Sequence, residues 1–280
     1  MSVSPIVSES FKSDCIRLFS SWCWVRSDFV SDFRALQEGD LLSPGAPGSQ
    51  VIWETRQKSV LKQTAPSGRV IVYKFYHSLR NPQHFINRPA PTGLEALNYQ
   101  EILSLGLPTA EVLAVGETRF FFFPRKAFFI TAFLEGTCDG REFLPGGKCA
   151  ENSLWKEEYC RKNMEYIARF HDRDFLHRGF TPFNTLWREK AKEKQTEGDL
   201  LDVFWIDVAS CRHPKDKEKL LPGKAADLGH FFSFLRMPEE ERRTFTRIYM
   251  ENTRTLGKSF EEFFPMVEES YAAELEKKGN

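Results

Sequence analysis

IARFHDRDFLHRGFTPFNTLW, residues 167 to 187, leads into a charged run and then into LLDVFWID, residues 200 to 207. The first segment runs from a helical pattern into a loop that carries His177, Arg178 and Asn184. The second is an apolar run, Val203 to Ile206, closed by Asp207. If the two pair as strands, an amide oxygen from Asn184 and a carboxylate from Asp207 stand at their ends. Oxygen ligands of this kind suit a hard divalent cation such as magnesium. Taken singly, His177-Arg178 and Asn184 can be ordinary loop residues, and Asp207 a capping or turn residue. Their order, and the elements around them, give them meaning.

His177, Arg178 and Asn184 are spaced as in the protein-kinase catalytic loop H-R-D-x-x-x-x-N, and Asp207 stands where the metal-binding Asp of D-F-G would. Phosphoryl transfer asks the protein mainly to position groups and neutralise charge. The third loop position, Asp in that pattern, is Gly179 here. In the usual arrangement that Asp accepts the proton of the attacking hydroxyl, which glycine cannot do.

With 280 residues the chain has room for one large domain or two modest lobes. Lys+Arg and Asp+Glu are both 39, and this balance argues against a nucleic-acid partner, which calls for a basic excess. Phenylalanine is abundant, at 26 residues, which predicts a well-filled core. The cysteines at 15, 23, 138, 149, 160 and 211 form no CxxC pair or metal spacing, and read as reduced thiols of a cytosolic protein. The N-terminal MSVSPIVSESFKSDC lacks a signal-peptide pattern. No apolar run approaches the roughly 20 residues of a membrane span. The expectation is a soluble, cytoplasmic protein, with peripheral attachment to the inner membrane left open.

Residues 1–50 are expected as an N-terminal extension with one or two short helices, in which Trp22 and Trp24 anchor the segment by packing. SPGAPGS, residues 43–49, is a loop by its Pro and Gly content. No G-x-G-x-x-G occurs; the place for a nucleotide-covering turn is Thr55 to Ser59. VIWET, SVLKQT and RVIVYKFY are β-branched and aromatic and predict strands, the last two joined through Pro66-Ser67-Gly68. Lys74 stands among large apolar residues in the third of these, as a phosphate-pairing lysine would, or as a plain solvent-facing strand lysine. A helix is predicted from Leu94, stopping at Gly106 with Pro108 beyond. It carries Glu95 and Glu101 as partners for Lys74, Glu95 being preferred over a merely solvated carboxylate. Strands follow over 112–116 and 119–136, broken at Pro124, with a hinge at Gly136. This gives a β-rich N-terminal lobe, 51–136, and a mainly helical C-terminal lobe, 137–280.

In that second half, Leu154, Tyr159, Met164, Ile167 and Phe170 recur at near-helical spacing. REKAKEKQTEGD, residues 188–199, reads as a solvated hairpin insert. A Lys-rich loop follows Asp207. Asp227 either opens a helix as its cap or buttresses the catalytic loop from below. Two amphipathic helices separated near Pro265 close the chain.

Lys74 on a strand, Glu95 before LGLPTAEVLAVGE, then IARFHDRDFLHRGFTPFN, FWIDVASCR and AADLGHFFSFL occur in the order seen in the lipopolysaccharide core kinase family, whose members phosphorylate Kdo or heptose sugars. The chain resembles that family from about Ser59 to Leu235. The resemblance implies an α+β, bilobal, protein-kinase-like fold that uses ATP with magnesium and takes a glycolipid or small sugar acceptor. By position, Lys74 would pair with the phosphates, Glu95 would orient it, and Asn184 and Asp207 would hold the metal. Gly179 departs from the family pattern. Losing a general base typically lowers a rate about 10²- to 10⁴-fold, so a slow enzyme is one outcome and a pseudokinase that binds or scaffolds is another. A structural α+β protein is the third. Among substitute bases, Asp172, Asp174 and His177 lie nearby, and Asp174, just before the loop, is preferred.

Overall fold

The structure, a computed structural model, describes residues 5–42, 46–79, 81–196 and 198–279. Residues 43–45 of the loop expected at 43–49, and residue 197 of the charged insert, lie outside these. The chain divides into two compact units, Met1–Glu101 with Ala110–Glu135, and Ile102–Thr109 with Gly136–Asn280.

The first unit is built on a sheet of β1 (Ile6–Ser8), β2 (Trp22–Arg26), β3 (Gln50–Glu54), β4 (Lys58–Thr64), β5 (Val70–Tyr76), β6 (Val112–Phe120) and β7 (Phe123–Ala132), in the order β1-β2-β6-β7-β5-β4-β3. Only the β1–β2 pairing is parallel. The N-terminal segment is therefore part of this sheet, which corrects its reading as a helical extension. Trp22, Cys23, Trp24 and Val25 are all buried. A strand covered on both faces lacks the apolar–polar alternation by which strands are recognised. Gly116 of β6 permits the close approach of β2, because a Cβ there would lie 2.8 Å from the Trp22 carbonyl oxygen. One short α-helix does form early, α1 (Val30–Glu38). It lays Phe33 and Leu36 on a buried cluster with Ile71, Tyr73, Phe128 and Ile130.

The predicted hairpin from β4 to β5 turns at Ala65–Arg69, where the Gly68 amide donates to the Ala65 carbonyl and Gly68 takes φ +88°. The second helix, α2 (Pro91–Ser104), starts earlier than Leu94 because Pro91 suits its first turn. Leu105 and Gly106 then close it, Gly106 at φ +66°. Pro124 does not break the strand. It pairs with Arg119 beside a register shift, and the reversal lies one step earlier, at Phe121-Phe122.

The second unit holds a three-stranded antiparallel sheet of β8 (Cys138–Asp139), β9 (Thr185–Glu189) and β10 (Leu201–Trp205), in the order β10-β9-β8. Its helices are α3 (Ser153–His171), α4 (Leu220–Leu235), α5 (Glu239–Asn252) and α6 (Phe260–Gly279). Asn152 caps α3 by accepting the Trp155 amide. Glu158 of α3 accepts the amides of Leu200 and Leu201 at 2.7–2.9 Å and so fixes where β10 begins. Two boundaries differ from expectation. Helix α4 starts at Leu220, not Asp227, since Pro222 falls in its first turn, where proline is tolerated. Pro265 lies inside α6, and the break between the last helices is at 253–259, where Gly257 takes φ +64°. One unit is thus β-rich and the other mainly helical.

Candidate functional site

Within the first unit, Lys74 and Glu95 meet. Tyr73 and Phe75 face α1, and alternation turns Lys74 to the other side of the sheet. There its Nζ lies 2.7 Å and 2.9 Å from the two carboxylate oxygens of Glu95 on α2. Lys74 is 8% exposed and Glu95 1%, so the pair is desolvated and held by both oxygens. A cavity of about 640 Å³ in this unit lies on the opposite face, against Phe33, Leu36, Tyr73 and Phe128, and so is separate from this pair.

Within the second unit, backbone pairing brings residues 184 and 207 next to each other along the ladder. The Ile206 amide donates to the Asn184 carbonyl at 2.9 Å, so Asp207 follows a residue bonded to Asn184. The Asn184 Nδ2 donates to the Gly179 carbonyl at 2.7 Å, which leaves Oδ1 as the side-chain atom for a cation. Two protein oxygens, with the rest from phosphate and water, match the way magnesium is usually held in such sites. Asp207 and Arg178 take φ +52° and +59°. Non-glycine residues rarely adopt this conformation, and it clusters at functional sites.

The loop is pinned from beneath. Asp227, buried in mid-α4, accepts the amides of His177 and Arg178 at 2.8 Å and 2.7 Å. Of the two roles considered for Asp227, this is the buttress and not the cap. His171 Nε2 lies 3.2 Å from the same carboxylate, and its Nδ1 lies 2.9 Å from the Tyr249 hydroxyl. The chain Tyr249–His171–Asp227 was not visible in the sequence; the only hint was a histidine six residues ahead of His177. Hydrogen bonds to a buried carboxylate contribute about 1.5–3 kcal/mol each. Asp227→Asn, which can accept only at one atom, is expected to lower unfolding free energy by about 3 kcal/mol, read from denaturant midpoints.

The expected catalytic residues fare unequally. His177 is fully buried against Trp205 and Phe180, and neither ring nitrogen has a hydrogen-bond partner among the described residues. It is a core side chain, which corrects its place among groups that act on substrate. Asp172 is tied up by Thr253, Arg254 and Thr255. Burial works against its ionisation, but those hydrogen bonds outweigh it and hold its carboxyl below the usual range. Asp174 is exposed; its carbonyl accepts from His213 and its carboxylate acts on Lys224. The structure lends Asp174 no support as a base.

Gly179 itself is open to replacement. It does not take a left-handed φ, and a Cβ there would meet only Ser210 Oγ at 3.0 Å and Asn184 Nδ2 at 3.6 Å. Ser210 Oγ donates to the His177 carbonyl at 3.0 Å, a contact sequence reasoning missed.

Burial pushes the His177 imidazole down to about 4 from an ordinary value near 6.5. The unfolded chain therefore takes up a proton as pH falls through 6.5 while the folded chain does not until about 4. This stabilisation is whole above pH 6.5 and declines towards pH 4, at about 1.4 kcal/mol per pH unit. Lowering the pH from 7 to 5 is expected to reduce the unfolding free energy by roughly 2 kcal/mol through this group. His171, also pushed down by burial against the opposing pull of Asp227, acts in the same direction. Denaturant unfolding of wild type and His177→Phe at both pH values checks it: the variant should show the shallower dependence.

A β-rich unit with a strand lysine paired to a helix glutamate, and a mainly helical unit with a loop Asn beside a strand-end Asp, define the protein-kinase-like fold. The chain belongs to the lipopolysaccharide kinase (Kdo/WaaP) family, whose model matches residues 77–220. No curated protein matches it. Among solved structures, WaaP in complex with acyl carrier protein is similar over 87% of this chain and 90% of its own, at 15% identity and TM-score 0.57. At that identity the likeness shows the fold alone. A Rio2 kinase–ADP/Mg2+–phosphoaspartate complex from Chaetomium thermophilum (11% identity, 89% of this chain, 76% of its own, TM-score 0.44) and the pseudokinase domain of BIR2 (13%, 88%, 78%, 0.40) also align, with TM-scores too low to argue from.

Proposed function

We propose that this chain transfers the γ-phosphoryl group of ATP to a hydroxyl of a lipopolysaccharide core sugar, in the cytoplasm at the inner membrane. The observation that carries the reading is the adjacency of Asn184 and Asp207, set by strand pairing in a member of this family. In this reading Lys74, held by Glu95, binds nucleotide phosphates. Asn184 and Asp207 hold magnesium, which when bound neutralises phosphate charge. The backbone of the loop, fixed by Asp227, sets where the acceptor hydroxyl sits. Because the transition state is loose, proton removal can come late, and Gly179 slows the reaction without forbidding it.

A second reading is a pseudokinase that binds nucleotide and scaffolds, and Gly179 favours it. Transfer of label from γ-labelled ATP, with magnesium, into a lipopolysaccharide core fraction separates the two. Label above the no-enzyme control supports the kinase. Nucleotide binding without label supports the pseudokinase.

A further inference from the structure

The tip of the β6–β7 hairpin carries an apolar knob that no core requires. Phe120, Phe121 and Phe122 are 58%, 71% and 49% exposed, and Phe19 beside them is 65% exposed. The rings form two edge-on pairs, Phe19 with Phe122 at 5.7 Å and Phe120 with Phe121 at 4.7 Å, joined through the consecutive residues 120–122 of the turn. Contiguous exposed apolar surface of this kind marks an interaction site. Phe121 also takes φ +53°, where Asn or Gly would be easier and a bulky ring is unusual. Neither local backbone nor packing accounts for a phenylalanine there.

The knob sits on a stiff base. Arg119, with its side chain fully buried, donates to the Glu117 carboxylate at 2.6 Å and to the carbonyls of Phe122 and Arg88 at 2.9 Å. Its charge is thus used inside the fold. The guanidinium of Arg125 lies 5.6 Å from the Phe120 ring, and the flanking residues Arg17 and Lys126, close to the rings in sequence, are also exposed. From Thr118 to Lys126 and from Ile16 to Trp22 there is no carboxylate.

Aromatic rings projecting from a turn, with a guanidinium against one of them and flanking segments that carry cations and no acid, match the chemistry of a bilayer interface bearing negative headgroups. Rings partition to the headgroup level, and cations are drawn to anionic lipid. We propose that this tip docks the protein on an anionic lipid surface. The proposal deepens the reading of a lipopolysaccharide acceptor, whose lipid part lies in a membrane.

Flotation of the full chain, without nucleotide or acceptor, tests it. The vesicles are phosphatidylcholine alone, or phosphatidylcholine mixed with phosphatidylglycerol. The wild type should float with the mixed vesicles. Removing a ring should weaken partition on the order of tenfold, so Phe120→Ser with Phe121→Asn should lose roughly 100-fold. Asn is chosen because it accepts the left-handed backbone. Arg125→Gln with Lys126→Gln should lose about 30-fold on mixed vesicles, at about fivefold per cation, and little on phosphatidylcholine alone. Circular dichroism of both double variants should match the wild type, since all four positions are exposed.

Failure of the wild type to float, or equal flotation of wild type and ring variant, overturns the proposal. So does a concentration-dependent dimer that the ring variant abolishes without any lipid binding, which would make the knob a contact between copies. Transfer to a delipidated core oligosaccharide should be the same in the tip variants and the wild type. If flotation holds while the wild type transfers nothing, the kinase reading fails and the docking surface stands.

Discussion

Asp207→Ala is expected to abolish most phosphate transfer, by on the order of 10³-fold, while the protein stays folded. In the proposed kinase reading its carboxylate would be one of two side-chain oxygens holding magnesium, and such a cation supplies several kcal/mol of transition-state charge stabilisation. At about 1.4 kcal/mol per factor of ten, losing most of that gives the stated drop. Asp207 follows Ile206, whose amide bond to the Asn184 carbonyl does not involve the Asp207 side chain. The assay is label transfer from ATP into a lipopolysaccharide core fraction, with denaturant unfolding beside it. An unchanged rate at unchanged stability would remove Asp207 from the chemistry.

Gly179→Asp is expected to raise the rate by about 10² to 10⁴-fold, the usual contribution of a positioned general base. The geometry permits it. The backbone at Gly179 is not left-handed, and the one tight neighbour of a new Cβ is the Ser210 hydroxyl at 3.0 Å. That hydroxyl can rotate away from the His177 carbonyl, which costs about 1 kcal/mol for the lost bond. A large rise would show a site complete apart from its base. An unchanged rate, with measurable wild-type transfer, would show that the proton already has another acceptor. Single-turnover rates at saturating ATP are the right measure, because they isolate the chemical step from product release.

The parts of this fold that could be read from the chain were those with local signatures. Strands β4 and β5 alternate and are joined by Pro-Ser-Gly, so their hairpin and the side on which Lys74 lies followed from period and turn chemistry. Glu95 was distinguishable from Glu101 only as a preference, and the buried pair with Lys74 shows which carboxylate faces the sheet. The N-terminal strands were hidden because β2 is buried on both faces and its partner, β6, comes some ninety residues later (Trp24 opposite Val115). The sequence points to a late start for α4 because the lysines before it have the composition of a loop, although they form a single short turn that leads straight into the helix. His177 and Asp227 needed the tertiary structure most. No spacing rule says that one histidine of the loop is sealed in a core while a carboxylate some fifty residues on holds its amide.

The ends of β9 and β10 that carry Asn184 and Asp207 lie opposite the charged insert, and the far end of the same hairpin is clamped by Glu158 on the Leu200 and Leu201 amides. Ladder registry, and not the insert, therefore sets the spacing of Asn184 and Asp207. Chain length is free in the exposed stretch around Glu193 but strictly counted within the ladder, where a slip of one residue would turn every side chain to the other face. The hairpin works as a ruler with an adjustable handle: a peptide epitope or fluorophore grafted into the handle leaves the graduations where they were.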